Sequence, residues 1–487
     1  MFGPMIRRLS LAASLFAMSA CTSATPEQRW LDDTSAALGG RDQLASLKTL
    51  VLEGDGAMWN VGQDMTIDAT GQTFAVSGYR RAIDVEGRRM RVQQTRTPNF
   101  LYFQGQAQQT QVFGIDGDVA YTVGANGSPA RAGAATARDR QAELFHHPLV
   151  LVAAAAQGKA SVANVRTEDN EQLADITPNG STTAFTIVSD TATHVPSRIR
   201  SRAAHPNLGD VIVETRFTEY ADGPPGLKSP RRLAAFIDRF KSSELRLTKV
   251  DSADPGDVAA PEAVRAAAVP TPPAPSVVAE AVAPGVWFLA GQSHHSVLIE
   301  FGDHLTLVEA PQSEARSLAA IAKARELVPG KPLTQLVSSH FHFDHSAGLR
   351  AAVAEGLTVI TQRDNVDYYE EAAKRPFTIE PDALARNSRS ITVEGVDDGR
   401  VIEDKTRRVE LYHISGNPHA DTLLMVYLPK ERVLIEADAF SPGASVQPYA
   451  PNLLEQIRAR KLQVDRIVPL HGTIAPFKDL VAAVPAS

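Results

Sequence analysis

Cysteine is almost missing from this chain, which has one, Cys21, in 487 residues. A single thiol allows no internal disulfide and no cysteine metal cluster, so stability has to come from packing and from other ligand chemistry. A basic surplus is missing too. Lys and Arg number 49 against 56 Asp and Glu, a formal net charge of −7, which leaves no broad cationic face for nucleic acid. Leu9 to Ala20 is apolar but too short to span a bilayer. Apolar residues at 43% and charged residues at 22% are those of a soluble globular protein, and the length calls for two or more domains. Histidine is scarce, with 13 in the whole chain, so where it gathers carries information.

It gathers in Ser338-Ser339-His340-Phe341-His342-Phe343-Asp344-His345-Ser346-Ala347-Gly348. Leu333 to Val337 before it reads as a buried strand, and His345 to Ala354 after it as a helix. The cluster therefore sits on a strand-to-helix loop, where reactive groups are commonly carried. Alternation along an extended segment points His340 and His342 the same way, with Asp344 and His345 at the helix start. These nitrogen and oxygen donors suit a zinc-like ion and are enough to begin two sites.

His-x-His-x-Asp-His resembles the signature of the metallo-β-lactamase-fold hydrolases. Further ligand types of that family follow in order: His419 in Ser415-Gly416-Asn417-Pro418-His419, Asp438 after the apolar run Val433 to Ala437, and His471 after Ile467 to Leu470. The resemblance implies an αβ/βα four-layer sandwich over residues 277–487. It implies two divalent metal ions, zinc being the expected one. His340, His342 and His419 would hold the first ion, Asp344, His345 and His471 the second, and Asp438 would bridge them. A metal-bridging hydroxide would be the nucleophile, oriented by Asp344 as the catalytic carboxylate. Where the family usually has an Asp, this chain has Glu309, whose longer side chain leaves its supporting role open. His294 and His295 read as ordinary loop residues near the cleft mouth, and His413 as a support behind the ligands or as structural. True metallo-β-lactamases usually carry Cys or Ser at the position of Asp438. The carboxylate there points to esters, lactones or related carbonyl substrates, with β-lactams as the alternative.

Residues 1–20 read as a signal peptide: Arg7 and Arg8, then the apolar run, then small residues. Met18-Ser19-Ala20-Cys21 resembles a bacterial lipobox, which implies a lipidated Cys21. The protein is then expected in the bacterial cell envelope, facing the periplasm and anchored in a membrane, with Thr22 after Cys21 favouring the outer one. Residues 21–250 form a mainly antiparallel β domain, with strict alternation in Arg89 to Gln93 and turns at Asp84 to Arg88 and Ile115 to Asp118. A helix is predicted over Pro26 to Leu38, ended by Gly39-Gly40, and another over Ala142 to Gln157, broken at Pro148. Helix, Gly-Gly, then many strands resembles the half-barrels of outer-membrane lipoprotein carriers. A different class of function follows from that likeness: a lipoprotein binding lipid or another apolar ligand, its metal site vestigial. His146-His147 reads as structural or surface. Residues 251–276, rich in Pro and Ala, are the expected linker.

Overall fold

The computed structural model describes residues 24–485 apart from residue 103, so the expected signal peptide and Cys21 lie outside the described residues. Among the described residues no helix is long and apolar enough to cross a membrane.

The alternating N-terminal half becomes one antiparallel sheet of 13 strands. In the strand Arg89–Pro98, Met90, Val92, Gln94 and Pro98 are buried while Arg89, Arg91 and Gln93 are more exposed, as period two requires. The first strand, Thr49–Trp59, lies in the middle of this sheet. It pairs with the next, Thr73–Asp84, on one side and with the last, Phe240–Asp251, on the other. The opening helix, Pro26–Ala37, is capped by Thr25 and Gln28 in a reciprocal box and stops before Gly39 and Gly40, at φ 116° and 121°. The second predicted helix is two, Ala134–Phe145 and Pro148–Ala156, parted at Pro148. Pro148 to Ala155 are all buried. Trp30, Leu149 and Leu151 share one core with Leu50 and Ile83 from one half of the sheet and Ile187 and Leu245 from the other. The sheet thus wraps around its helices. His146 lies inside this core, between Thr215 Oγ1 (3.1 Å) and Ser201 Oγ (2.9 Å). Burial, helped by Arg81, lowers its pKa to about 3, which marks it as a neutral structural group.

The Pro-rich segment is partly packed. Val258, Ala260 and Val264 are buried, and a short helix, Glu262–Ala266, lies beside Tyr121. Asp116 accepts from Ala260 N (2.9 Å) and pairs with Arg265. Residues 267–276 form no helix or strand.

The C-terminal half has two sheets. One of seven strands runs in chain order from Val278–Ala283 to Val393–Val396, antiparallel at first and parallel from Leu305–Val308 onward. The other, of six strands, runs from Gly399–Glu403 to Ala475–Pro476. Val297, Val308, Val337 and Ile360 of the first meet Leu411, Val426, Ile435 and Val468 of the second in one core. Each such side chain, fully buried, contributes about 1.5–3 kcal/mol. Helices Glu314–Leu327 and Leu349–Ala354 cover the outer face of the first sheet, and Ala450–Ala459 and Phe477–Ala483 that of the second. This is the four-layer αβ/βα order. The helix predicted over His345 to Ala354 is broken into Phe343–Ser346 and Leu349–Ala354. Gly348 lies at the break because a Cβ there would strike Ser317 Oγ.

Candidate metal centre and active site

Every ligand type singled out in the sequence lies at one shared edge of the two C-terminal sheets. The strand Leu333–Val337 runs parallel between Leu305–Val308 and Thr358–Gln362, then releases the chain into the His loop. Asp438 follows the strand Val433–Glu436 in a left-handed conformation, φ 60°. Such a backbone is costly for an aspartate and is typical of sites where geometry is imposed from outside. Buried Glu436 helps impose it, accepting from Ala439 N (3.0 Å) and Phe440 N (3.1 Å). His471 follows Arg466–Pro469, and Asn417 Oδ1 fixes the loop of His419 by accepting its N–H at 3.0 Å.

The donors fall into two groups, each with ligand atoms within 4.8 Å of one another: His340, His342, His419 and Asp438, and His294, Asp344, His345 and His471. Asp438 stands between them. Its Oδ2 is 2.8 Å from His345 Nε2, 3.1 Å from His419 Nε2 and 3.4 Å from His340 Nε2, and its Oδ1 is 3.0 Å from His471 Nε2.

The far side of each buried ring is already engaged. His342 Nε2 donates to the carbonyl of Asp64 (2.8 Å), and its Nδ1 is buried with no partner. His340 Nδ1 meets Ser339 Oγ (2.9 Å), and His345 Nδ1 meets Glu309 Oε2 (3.0 Å). These contacts leave Nδ1 of His342 and Nε2 of the other two for the cleft. A buried nitrogen lone pair without a donor costs about 1–3 kcal/mol, a penalty that a bound cation removes. Burial lowers the pKa of His340 far below the usual value and that of His342 to about 3, so both are neutral, the form that binds metal. Burial also opposes charge on Asp438, yet His345, His471 and His419 hold its pKa well below the ordinary range. His345 moves the other way: burial would lower it, but the carboxylates of Asp438 and Asp344 raise it well above 6.5. Two ionised carboxylates in a dry cleft require positive charge beside them, and divalent ions fit that requirement. The donors present fit a metal centre.

Glu309 is a supporting residue. It is wholly buried, has φ 71°, and accepts from Ser339 N (3.2 Å), Ser339 Oγ and His345. Its extra methylene reaches both the loop backbone and the ring, as a carboxylate behind a metal-binding imidazole does.

His294 is more than an ordinary loop residue. Its Nε2 is 3.0 Å from Asp344 Oδ2, its ring centroid 3.9 Å from that of His471, and the two residues form an isolated β-bridge. Nothing in the spacing Ser293-His294-His295 announces this. His295 is structural, accepting from Gly291 N (3.2 Å) and packing on Phe288. So is His413, whose Nε2 meets the carbonyl of Asp421 (2.6 Å).

The β domain reaches this site, which no sequence pattern signals. Its loop between Thr49–Trp59 and Thr73–Asp84 is inserted against the His loop. Gln63 Nε2 donates to Asp344 Oδ1 (2.6 Å), Phe343 N to Gly62 O (3.1 Å), and Asp421 N to Met65 O (2.9 Å). Gly62 has φ 73°, and a Cβ there would run into the Phe343 ring. The polar stretch Asn60 to Gln72 otherwise reads as any hairpin loop.

A four-layer αβ/βα sandwich with such a His and Asp cluster at its sheet edge is the framework of a metal-dependent hydrolase. Residues 289–471 match the model of the Metallo-beta-lactamase superfamily, and the C-terminal domain has the metallo-β-lactamase fold. The linear primary-alkylsulfatase of Pseudomonas sp. (strain ATCC 19151) is 25% identical over 236 residues, a match covering 38% of this chain and 43% of that protein. The chain thus spans less than half the length of that relative. Among solved structures, a metallo-beta-lactamase from Pontibacter korlensis is similar with TM-score 0.34 and 16% identity, over 42% of this chain and 96% of that one. The rubredoxin oxygen:oxidoreductase of Desulfovibrio gigas is similar with TM-score 0.34 and 18% identity, over 42% of this chain and 59% of that one.

Proposed function

We propose that the protein is a dinuclear metal-dependent hydrolase acting on an ester, a lactone or a related carbonyl compound. The observation that carries this reading is the single carboxylate of Asp438 in reach of histidines from both donor groups. His340, His342 and His419 would hold one divalent ion, Asp344, His345 and His471 the other, and Asp438 both, with zinc the expected metal. When bound, such ions polarise a carbonyl oxygen and lower the pKa of water from 15.7 to about 7. Asp344 is fixed at both oxygens, by Gln63 and by His294, and so offers a rigid acceptor to a water molecule at the cleft floor. Tyr449 packs its ring on His419 at 5.0 Å and anchors its hydroxyl on the carbonyl of Leu101 (2.6 Å), which holds that imidazole and closes the cleft side.

Asp438 also bears on the substrate. A carboxylate shared by two cations withdraws positive charge from the position that has to stabilise the departing anionic nitrogen of a β-lactam. An ester or lactone expels an alkoxide that water can protonate. A panel of esters, lactones, alkyl sulfate esters and β-lactams, assayed with metal analysis, is expected to show kcat/KM for esters or lactones about 100-fold above that for carbapenems and cephalosporins. The sulfate esters test the chemistry named by the alkylsulfatase likeness. Efficient β-lactam turnover with negligible ester and lactone turnover would overturn the assignment.

For the cell envelope we propose an anchor at Cys21. Cys21→Ser is expected to move the protein from the membrane fraction to the soluble periplasm. An unchanged membrane fraction would count against it.

A further inference from the structure

One wall of the metal cleft belongs to the other domain. The cavity that holds Asp344, His419, Asp438 and His471 has a volume of about 600 Å³ and is closed by Phe74, Arg96, Phe100 and Tyr102 of the N-terminal sheet and its loop. Resting on the hydrolase reading above, we propose that this wall is a receptor for a carboxylate carried by the substrate, separated by a short apolar spacer from the bond that is cleaved. Arg96 is its specificity-determining residue.

Arg96 lies on the strand face that otherwise carries Met90, Val92, Gln94 and Pro98, an unusual place for a cation. Its Nε donates to Gln109 Oε1 (2.6 Å), and its guanidinium lies over the Phe74 ring, 4.4 Å from the centroid. Those contacts fix the plane of the group without neutralising it. Among the described residues no carboxylate forms an ion pair with Arg96, and its hydrogen bond to Gln109 uses Nε rather than the Nη groups, with Tyr102 beside it. Burial foremost lowers its pKa, so the cation is partly stripped of water before any ligand arrives. A planar, pre-oriented and incompletely hydrated guanidinium is suited to a carboxylate bound through two parallel hydrogen bonds.

The spacer is read from the rings beside it. Phe74 and Phe100 meet edge to face at 5.2 Å, and Phe100 and Tyr102 at 6.2 Å. They form an apolar strip next to the arginine, where methylene or aryl groups lose water favourably. The cavity thus presents cation-binding donors at one side and an anion-binding group with an apolar strip at the other. A neutral ester would use only part of it.

The test compares mono-4-nitrophenyl suberate with its neutral methyl ester on the full-length, metal-loaded protein. Wild type is expected to favour the acid about tenfold or more in kcat/KM, mainly through KM. Arg96→Gln should bring that ratio close to one, and Arg96→Lys should keep part of it. Equilibrium titration with 4-phenylbutyrate and with 4-phenylbutanamide gives a readout independent of turnover. The acid should bind wild type about tenfold more tightly than the amide, and the difference should vanish in Arg96→Gln. Equal binding of acid and amide by wild type, or a preference that survives in Arg96→Gln, overturns the receptor. Ester hydrolysis with no acid preference removes the receptor and leaves the hydrolase reading intact. Acid-selective titration in a protein that cleaves no ester removes the hydrolase reading instead.

Discussion

Asp438→Ala is expected to leave the protein unable to retain two ions and to lower ester hydrolysis by about 10³-fold or more. Among the described residues no other carboxylate lies within 3.5 Å of ring nitrogens from both donor groups, as this one does at 2.8 Å from His345, 3.1 Å from His419, 3.4 Å from His340 and 3.0 Å from His471. Removing it leaves clustered imidazoles with less negative charge to draw cations together. Asp438→Asn separates charge from shape, since it keeps the volume and should still lose the second ion. His345→Ala and His340→Ala serve as references, each expected to cost mainly one ion, the second and the first respectively. Elemental analysis after gel filtration reads the outcome. Two ions per chain in Asp438→Ala would refute a shared ligand.

Glu309→Ala is expected to destabilise the fold by about 3–5 kcal/mol and to weaken metal binding about 10- to 100-fold. The carboxylate is wholly buried and is the partner of His345 Nδ1 and of both Ser339 donors. Truncation would strand those donors and free the His345 ring to rotate or change tautomer. Glu309→Asp tests reach: with its Cα in the same left-handed turn, the shorter side chain should recover only part of the loss. Thermal unfolding and chelator competition measure the two effects separately. An unchanged melting temperature together with unchanged metal affinity would show that Glu309 fills space and nothing more.

The His loop was legible because its information is local. An apolar run, a dense set of ligand types and a helix start fall within about one turn of strand and helix, and the observed strand Leu333–Val337 has the bounds the pattern suggested. The alternating β domain was legible as strands for the same reason. Their pairing was not, since period two tells which face a residue takes but not that Thr49–Trp59 joins Phe240–Asp251 across the whole domain. Glu309 declared its residue type without its φ of 71°, and it is that turn, together with side-chain length, that brings the carboxylate to Ser339 and His345. His294 meets Asp344 only because its segment bridges to His471, a contact between residues far apart in the chain. Gln63 is the extreme case. It is an ordinary glutamine in a polar loop, brought to Asp344 by the docking of one domain on another.

The loop from Asn60 to Gln72 meets the metal-binding segment in good part through its main-chain carbonyls. The carbonyls of Gly62, Asp64 and Met65 receive Phe343, His342 and Asp421, so the loop holds the metal-binding segment whatever most of its side chains are. Gly62, pinned by the Phe343 ring, and Gln63, whose side chain reaches Asp344, are exceptions. Mutation can therefore alter positions 74, 96, 100 and 102 on a separately cored sheet while the reactive cluster stays as it is. In evolutionary terms, this arrangement lets descendants of the chain acquire new substrates by drift in the appended domain, with little risk to the chemistry they inherit.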